Sequence, residues 1–197
     1  MVDAIQGVGA APLDVRACHV DVLASGAQKW LLSPWGTGFT YVRRELVERL
    51  TPPDAGWLAV KSSEDFSRLI DYDLAWRDEA RRFEVGTLPY QDFVGAVASV
   101  ELLLALGPAT VARHVAALVD HVVRWAAARD DVRLITPADP ARRAGIVVLA
   151  PRDVDGAVRR LDAARVVYSL REGAIRLAPH CFNTLEEIDV ALEALEG

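Results

Sequence analysis

The chain has 197 residues, 52% of them hydrophobic and 25% charged, with 22 Lys+Arg against 28 Asp+Glu and a formal charge of −6. That length buries a real core in one or two domains, and the composition excludes disordered and fibrous classes. An acidic chain without a basic block lacks the charge that a phosphate-backbone binder needs, so nucleic acid is not an expected partner. The apolar run 146–150 falls far short of the ~20 residues of a membrane span, no charged-then-apolar leader opens the sequence, and a cytoplasmic location without membrane contact is expected. Two separated cysteines, Cys18 and Cys181, make neither a disulfide framework nor a four-ligand zinc site, so no metal is expected. Twenty of the 22 basic residues are arginine, which singles out the two lysines, Lys29 and Lys61.

Taken in chain order, Met-Val-Asp-Ala-Ile-Gln (1–6) reads as the end of a strand, and further strands are expected at 20–24 and 38–42, separated by Gly and Pro breakers. Three short strands cannot make a covered sheet by themselves, so further structure upstream is expected. Residues 43–87 read mostly as loop, with a helix over 62–72 and a charge-rich stretch at 77–82. A helix is expected over 90–106, ended by Gly107-Pro108, and a second follows whose apolar residues Val111, Val115, Leu118, Val119, Val122, Trp125 and Ala126 share one face. Beyond Asp130 come strands at 132–135 and 145–149, a helix at 154–164, strands at 166–170 and 174–178, and a helix at 185–195 opened by a Thr184…Glu187 capping box. The expected boundary divides 1–107 from 108–197.

Several residues carry possible chemistry. Lys29 precedes Trp-Leu-Leu; an ammonium held on apolar surface loses hydration and becomes a nucleophilic amine, whereas a snorkelling surface lysine is the plainer reading. Asp3 stands near a strand's carboxyl end, where open α/β sheets place ligands, or serves a turn. Pro34-Trp-Gly-Thr-Gly38 precedes a strand rather than a helix, which favours a tight turn over a phosphate loop. Arg176, in the strand Ala-Ile-Arg-Leu-Ala, needs an anion: a substrate carboxylate or an internal Asp or Glu. His180 reads equally as a turn residue or a base. No nucleophile elbow or zinc-protease motif is present.

Five blocks, in order, resemble the class V aminotransferase and cysteine desulfurase-like family of pyridoxal-phosphate enzymes with the aspartate aminotransferase-like fold. They are Val-Asp-Ala-Ile-Gln-Gly (2–7), Ser-Gly-Ala-Gln-Lys-Trp-Leu-Leu (25–32), Gly-Thr-Gly-Phe (36–39), Arg-Phe-Glu-Val-Gly-Thr-Leu-Pro (82–89) and the segment 174–189. The resemblance implies an α/β chain: the latter part of the large cofactor-binding domain (1–107) and a C-terminal α+β small domain (108–197). It makes Lys29 the catalytic Schiff-base lysine, Asp3 the partner of the pyridinium nitrogen, and Gln6 a donor to the ring's phenolic oxygen. Gln28 and, less securely placed, Ser25 would contact the phosphate. Thr87 would reach the phosphate of a neighbouring subunit, which implies a homodimer with shared sites, and Arg176 would bind the α-carboxylate of an amino-acid substrate. The desulfurase branch carries a cysteine on a loop before that arginine; here 169–173 runs straight into the strand, which favours aminotransferase, epimerase or lyase-like chemistry. Because Met1 falls inside the Asp3 strand, the expectation is a chain lacking the family's amino-terminal half. The alternative is a non-catalytic remnant that folds and dimerises without holding cofactor productively.

Overall fold

The computed structural model describes residues 1–68, 70–71 and 73–196. They form two compact units, one of Met1–Val8 with Leu13–Leu102, the other of Gly9–Pro12 with the chain from Leu103 onward. The boundary expected at 107 thus falls earlier, and a short early segment joins the later unit. Its reason is local packing: Ala10, Ala11 and Pro12 line an apolar pocket together with Ala112, Val115 and Val119.

In the first unit, β1 (Val2–Asp3) pairs parallel with β2 (Val22–Gly26), which pairs antiparallel with β3 (Gly38–Val42). Along β2, Leu23 and Ser25 are buried while Val22, Ala24 and Gly26 are half-buried, the period-2 alternation of a pleated strand. Ala4, Val20 and Leu23 form a small core with Val8, Val15 and Tyr41 packed on it. A one-turn helix α1 (Arg44–Val47) follows, and α2 (Tyr90–Leu106) begins after a long irregular stretch. The helix expected over 62–72 is not formed; Phe66–Arg68 makes a single 3-10 turn, while Leu69 and Tyr72 lie outside the described residues. Local competition explains this. Ser62 has φ +63°, and Asp65 Oδ1 accepts from Ser67 N at 3.0 Å and from Ser67 Oγ at 2.6 Å, which offers the backbone a turn in place of a helix.

The second unit is an antiparallel sheet in the order β4-β5-β7-β6, made of Val132–Leu134, Val147–Pro151, Ala174–Leu177 and Ser169–Arg171. Helices α3 (Pro108–Ala127), α4 (Val154–Ala163) and α5 (Leu185–Leu195) pack with it. Of the α3 residues at three- and four-residue spacing, all but the partly buried Trp125 are buried, and Val119, Val122, Val147, Leu149, Leu161 and Ile175 anchor the shared core. Thr184 and Glu187 close the expected capping box on α5.

The strand expected at 166–170 begins later, at Ser169. Arg165 (φ +57°) turns the chain out of α4, and Val166 packs on the core before the strand starts. Glu172 (φ +50°) and Gly173 (φ +76°) then form a two-residue hairpin turn that pairs Arg171 with Ala174. Two consecutive left-handed residues match the twist of a tight hairpin and so set this register.

Candidate functional site

The carboxyl ends of β1 and β2 lie side by side, since Val2 pairs with Leu23 and Asp3 with Ala24. Whatever follows these two strands is therefore delivered to one edge of the sheet, the edge at which open α/β sheets bind ligands. β1 ends on Asp3 and is followed by Gln6; after β2 come Gln28 and Lys29. Asp3 is exposed, and its Oδ1 accepts from Ile5 N at 3.1 Å.

The turn that carries Lys29 is heavily braced. Ala27 N donates to Thr37 O at 3.0 Å, Ser33 N to Ala27 O at 3.1 Å, and Leu32 N to Lys29 O at 3.1 Å. Thr37 Oγ1 donates to Pro34 O at 2.6 Å, which realises the tight turn expected over 34–38. Trp30 is 4% exposed, and its indole Nε1 donates to Gln6 Oε1 at 3.2 Å. That bond ties the chain after β1 to the turn after β2 and occupies the Gln6 carbonyl end, so the amide NH2 is the end free to donate.

Turning Trp30 inward turns Lys29 outward. Lys29 is exposed and forms no ion pair among the described residues, whereas Lys61 is held by Asp78 at 2.9 Å. Of the two readings of this lysine, the snorkelling surface residue is the one seen and the desolvated amine is not, because the large apolar neighbour Trp30 is buried while Lys29 is exposed. Gln28 is half-buried against the backbone of Gly26; a Cβ on Gly26 would run into Gln28 Oε1 and lie 3.1 Å from Ile5 Cδ1. Ser25 is buried and its hydroxyl donates to Gly26 O at 3.1 Å, so in this arrangement its proton is committed.

Sequence reading missed the supports. Helix α2 braces the turn where Ser99 Oγ donates to Leu32 O at 2.9 Å and where Gly95 sits so close to Pro34 that a Cβ would come within 2.9 Å of its Cγ. A glycine inside an otherwise apolar helix was the signal available.

An open cleft of about 740 Å³ lies along the sheet, lined by Asp3, Ile5, Ser25, Gly26, Thr40 and Glu84 among others. It takes in Asp3 and Ser25 and not Gln6, Gln28, Lys29 or Thr87. Thr87 is exposed on the segment leading into α2, and its neighbour Leu88 reaches the cleft.

In the second unit, Arg176 is half-buried on β7, where it pairs with Val148 and Ser169. It has no carboxylate partner among the described residues, so the internal salt bridge is not formed. His180 is a buried turn residue: its N donates to Asn183 Oδ1 at 2.9 Å, its Nδ1 accepts from Cys181 N at 2.7 Å, and Phe182 stacks on the ring at 5.1 Å. Burial pushes the Cys181 thiol above its ordinary value. Among the described residues no group of His, Cys, Asp and Glu is placed to hold a metal ion, and no single helix is long and apolar enough to cross a membrane.

A lysine-bearing turn at the carboxyl ends of a parallel strand pair, with a separate α+β unit, defines a mixed α/β chain of the kind found in enzymes. The chain belongs to the class V aminotransferase family, whose model, Aminotransferase class-V, matches residues 1–189. The family is one of aminotransferases and cysteine desulfurases. The chain is 33% identical over 194 residues to an uncharacterized aminotransferase of Bacillus subtilis, YcbU, covering 98% of this chain and 50% of the relative. It is 28% identical over 190 residues to a probable cysteine desulfurase of Aeropyrum pernix, covering 95% and 44%. In fold it resembles a variant of the cystine C-S lyase C-DES that has glycine covalently linked to its PLP cofactor, with a TM-score of 0.82 at 23% identity over 96% of this chain and 49% of that one. The chain spans about half the length of the curated relatives it matches.

Proposed function

We propose that this chain supplies the lysine-bearing portion of a pyridoxal-phosphate enzyme that acts on an amino acid, with Lys29 as the catalytic amine. The observation that carries the reading is the exposed Lys29, without an ion pair among the described residues, on a braced turn whose next residue, Trp30, pins the Gln6 carbonyl. The donor set fits the cofactor. Asp3 offers the ring nitrogen a carboxylate, Gln6 presents NH2 to the phenolic oxygen, and the missing Cβ at Gly26 leaves room for the Gln28 amide.

Bound there, pyridoxal phosphate supplies an electron sink for charge developing at the amino acid's α-carbon. Asp3 keeps the ring nitrogen protonated, and Gln28 donates to the phosphate. Lys29 would hold the cofactor through Nζ and would carry the proton to or from the substrate's α-carbon. Arg176, half-buried on β7 and without a carboxylate partner among the described residues, suits a substrate carboxylate in two-point contact. Thr87, exposed on its loop, serves the phosphate of a second copy in a cytoplasmic homodimer with shared sites, and the two free cysteines suit a reducing compartment.

Transamination, epimerisation or carbon–sulfur lysis fits better than cysteine desulfuration. The two-residue turn from β6 into β7 leaves no loop before Arg176 on which a reactive cysteine could stand, and Cys181 comes after it. The test is titration of the 197-residue chain with pyridoxal phosphate, alone and with an amino-terminal half of a family member, followed by visible absorption and by loss of α-deuterium from labelled amino acids. A visible band that Asp3→Asn weakens, with α-deuterium exchange in either arm, supports the reading. No band and no exchange in either arm would leave a cofactor-free remnant as the better description.

A further inference from the structure

We propose that Arg82, backed by Trp76, is a receptor for a carboxylate. Arg82 lies in the 3-10 turn Ala80–Phe83 and is 8% exposed. Its Nε is buried without a hydrogen-bond partner, and its Cζ lies 5.9 Å from the centre of the Trp76 ring. The carboxylates of the surrounding sequence are committed elsewhere. Glu64 binds Arg77 at 2.9 Å and Arg81 at 3.3 Å, Glu79 binds Arg77 at 3.8 Å, Glu84 binds Arg81 at 3.9 Å, and Asp78 binds Lys61 at 2.9 Å.

Arg77 shows what the same segment does with an arginine that it uses structurally. Its guanidinium donates to Leu58 O at 2.8 Å, to Ser63 Oγ at 3.0 Å and to Glu64 Oε1 at 2.9 Å. Arg82, more deeply buried, has none of these answers among the described residues. A buried guanidinium N–H without an acceptor is costly, and the Trp76 face recovers only part of that cost. The ring does fix the guanidinium, so less ordering entropy remains to be lost when an anion arrives.

The planar fork suits a carboxylate in two-point contact. One guanidinium matches one negative charge; with Glu79 and Glu84 flanking it in sequence, a dianionic phosphate is poorly suited. The carboxylate comes either from an Asp or Glu side chain of a second copy, since the chain has 28 acidic residues against 22 basic, or from a free small carboxylate.

The test uses the full chain labelled with 15N-arginine, in which the Arg82 Nε–H signal is identified by its loss in Arg82→Lys. In one arm acetate is titrated into dilute protein at constant ionic strength, with chloride as control. In the other the protein concentration is raised without acetate while the sedimentation coefficient is followed. A saturable shift of the Arg82 signal with acetate identifies a free carboxylate; a shift in step with sedimentation identifies a second copy. The Arg77 signal, already bonded, stays put in both, and Arg82→Lys weakens the response, read as acetate-dependent stabilisation or as dimerisation, by about tenfold or more. An Arg82 signal that moves in neither arm, or moves equally with chloride, overturns the proposal.

Discussion

Gly26 and Gly38 face each other across the β2–β3 ladder, yet the same substitution should affect them differently. A Cβ on Gly38 would lie 2.7 Å from Ser25 O and 3.2 Å from Gly26 Cα, both backbone, so the ladder itself would have to shift. Overpacking of this kind costs about 1–3 kcal/mol. At roughly 2–4 °C per kcal/mol for a chain of this size, Gly38→Ala should lower Tm by about 2–12 °C. On Gly26 the new methyl meets the tips of two movable side chains, Gln28 and Ile5, and neither glycine has a positive φ. Gly26→Ala should therefore stay within about 1 kcal/mol of the parent, since reduced freedom of the unfolded chain offsets part of the crowding. What it displaces is the Gln28 amide. If that amide donates to a phosphate, losing a charge-assisted bond costs ~1.5–3 kcal/mol, roughly a tenfold to hundredfold weaker affinity for pyridoxal phosphate. Thermal melts followed by circular dichroism, with cofactor titrations by absorbance, measure both effects. Gly26→Ala melting as low as Gly38→Ala, or keeping full affinity where Gln28→Ala loses it, would refute the reasoning.

Leu149→Ala, at a fully buried position on the inner strand β5, should cost about 2–5 kcal/mol in urea unfolding; a loss below ~1 kcal/mol would contradict the core assignment. Thr184→Ala should cost ~1 kcal/mol by opening the α5 capping box. Hydrogen bonds from Asn183 Nδ2 and Thr184 N hold the Glu187 carboxyl below its usual range, so its contribution is present above that range and is lost as pH falls through the lowered value. Glu187→Gln should accordingly flatten the acid limb of the stability profile, and an unchanged limb would count against the cap. In an active assembly, Arg176→Lys should raise KM for the amino acid by more than it lowers kcat, and an unchanged KM would remove Arg176 from the substrate site.

The second unit was largely legible in the sequence because its signals are local. The 3- and 4-residue spacing through α3 and the Thr184…Glu187 box appear in the structure where periodicity and capping place them. The hairpin between β6 and β7 escaped notice because Glu-Gly is a weaker turn signal than Asn-Gly or Asp-Gly, and the apolar Val166 invited an early strand start. In the first unit, the five blocks pointed to Asp3, Gln6, Gln28 and Lys29, and β1–β2 pairing brings their segments to one sheet edge. The exposure of Lys29 agrees with the plainer of its two readings, whereas the Trp30–Gln6 bond that turns Trp30 inward was not legible, because it spans 24 residues. Nor was the isolation of Arg82, which depends on which arginines claim Glu64 and Glu84 first.

The most direct measurement is the position of a covalent label. The chain is incubated with pyridoxal phosphate, reduced with borohydride, digested and mapped by mass spectrometry. Only Lys29 and Lys61 compete besides the amino terminus, and Lys61 is engaged by Asp78. The account predicts that the pyridoxyl group is found on Lys29 well in excess of Lys61, and that Gln6→Ala or Trp30→Phe reduces this preference. No label on Lys29, or equal label on both lysines, would contradict it.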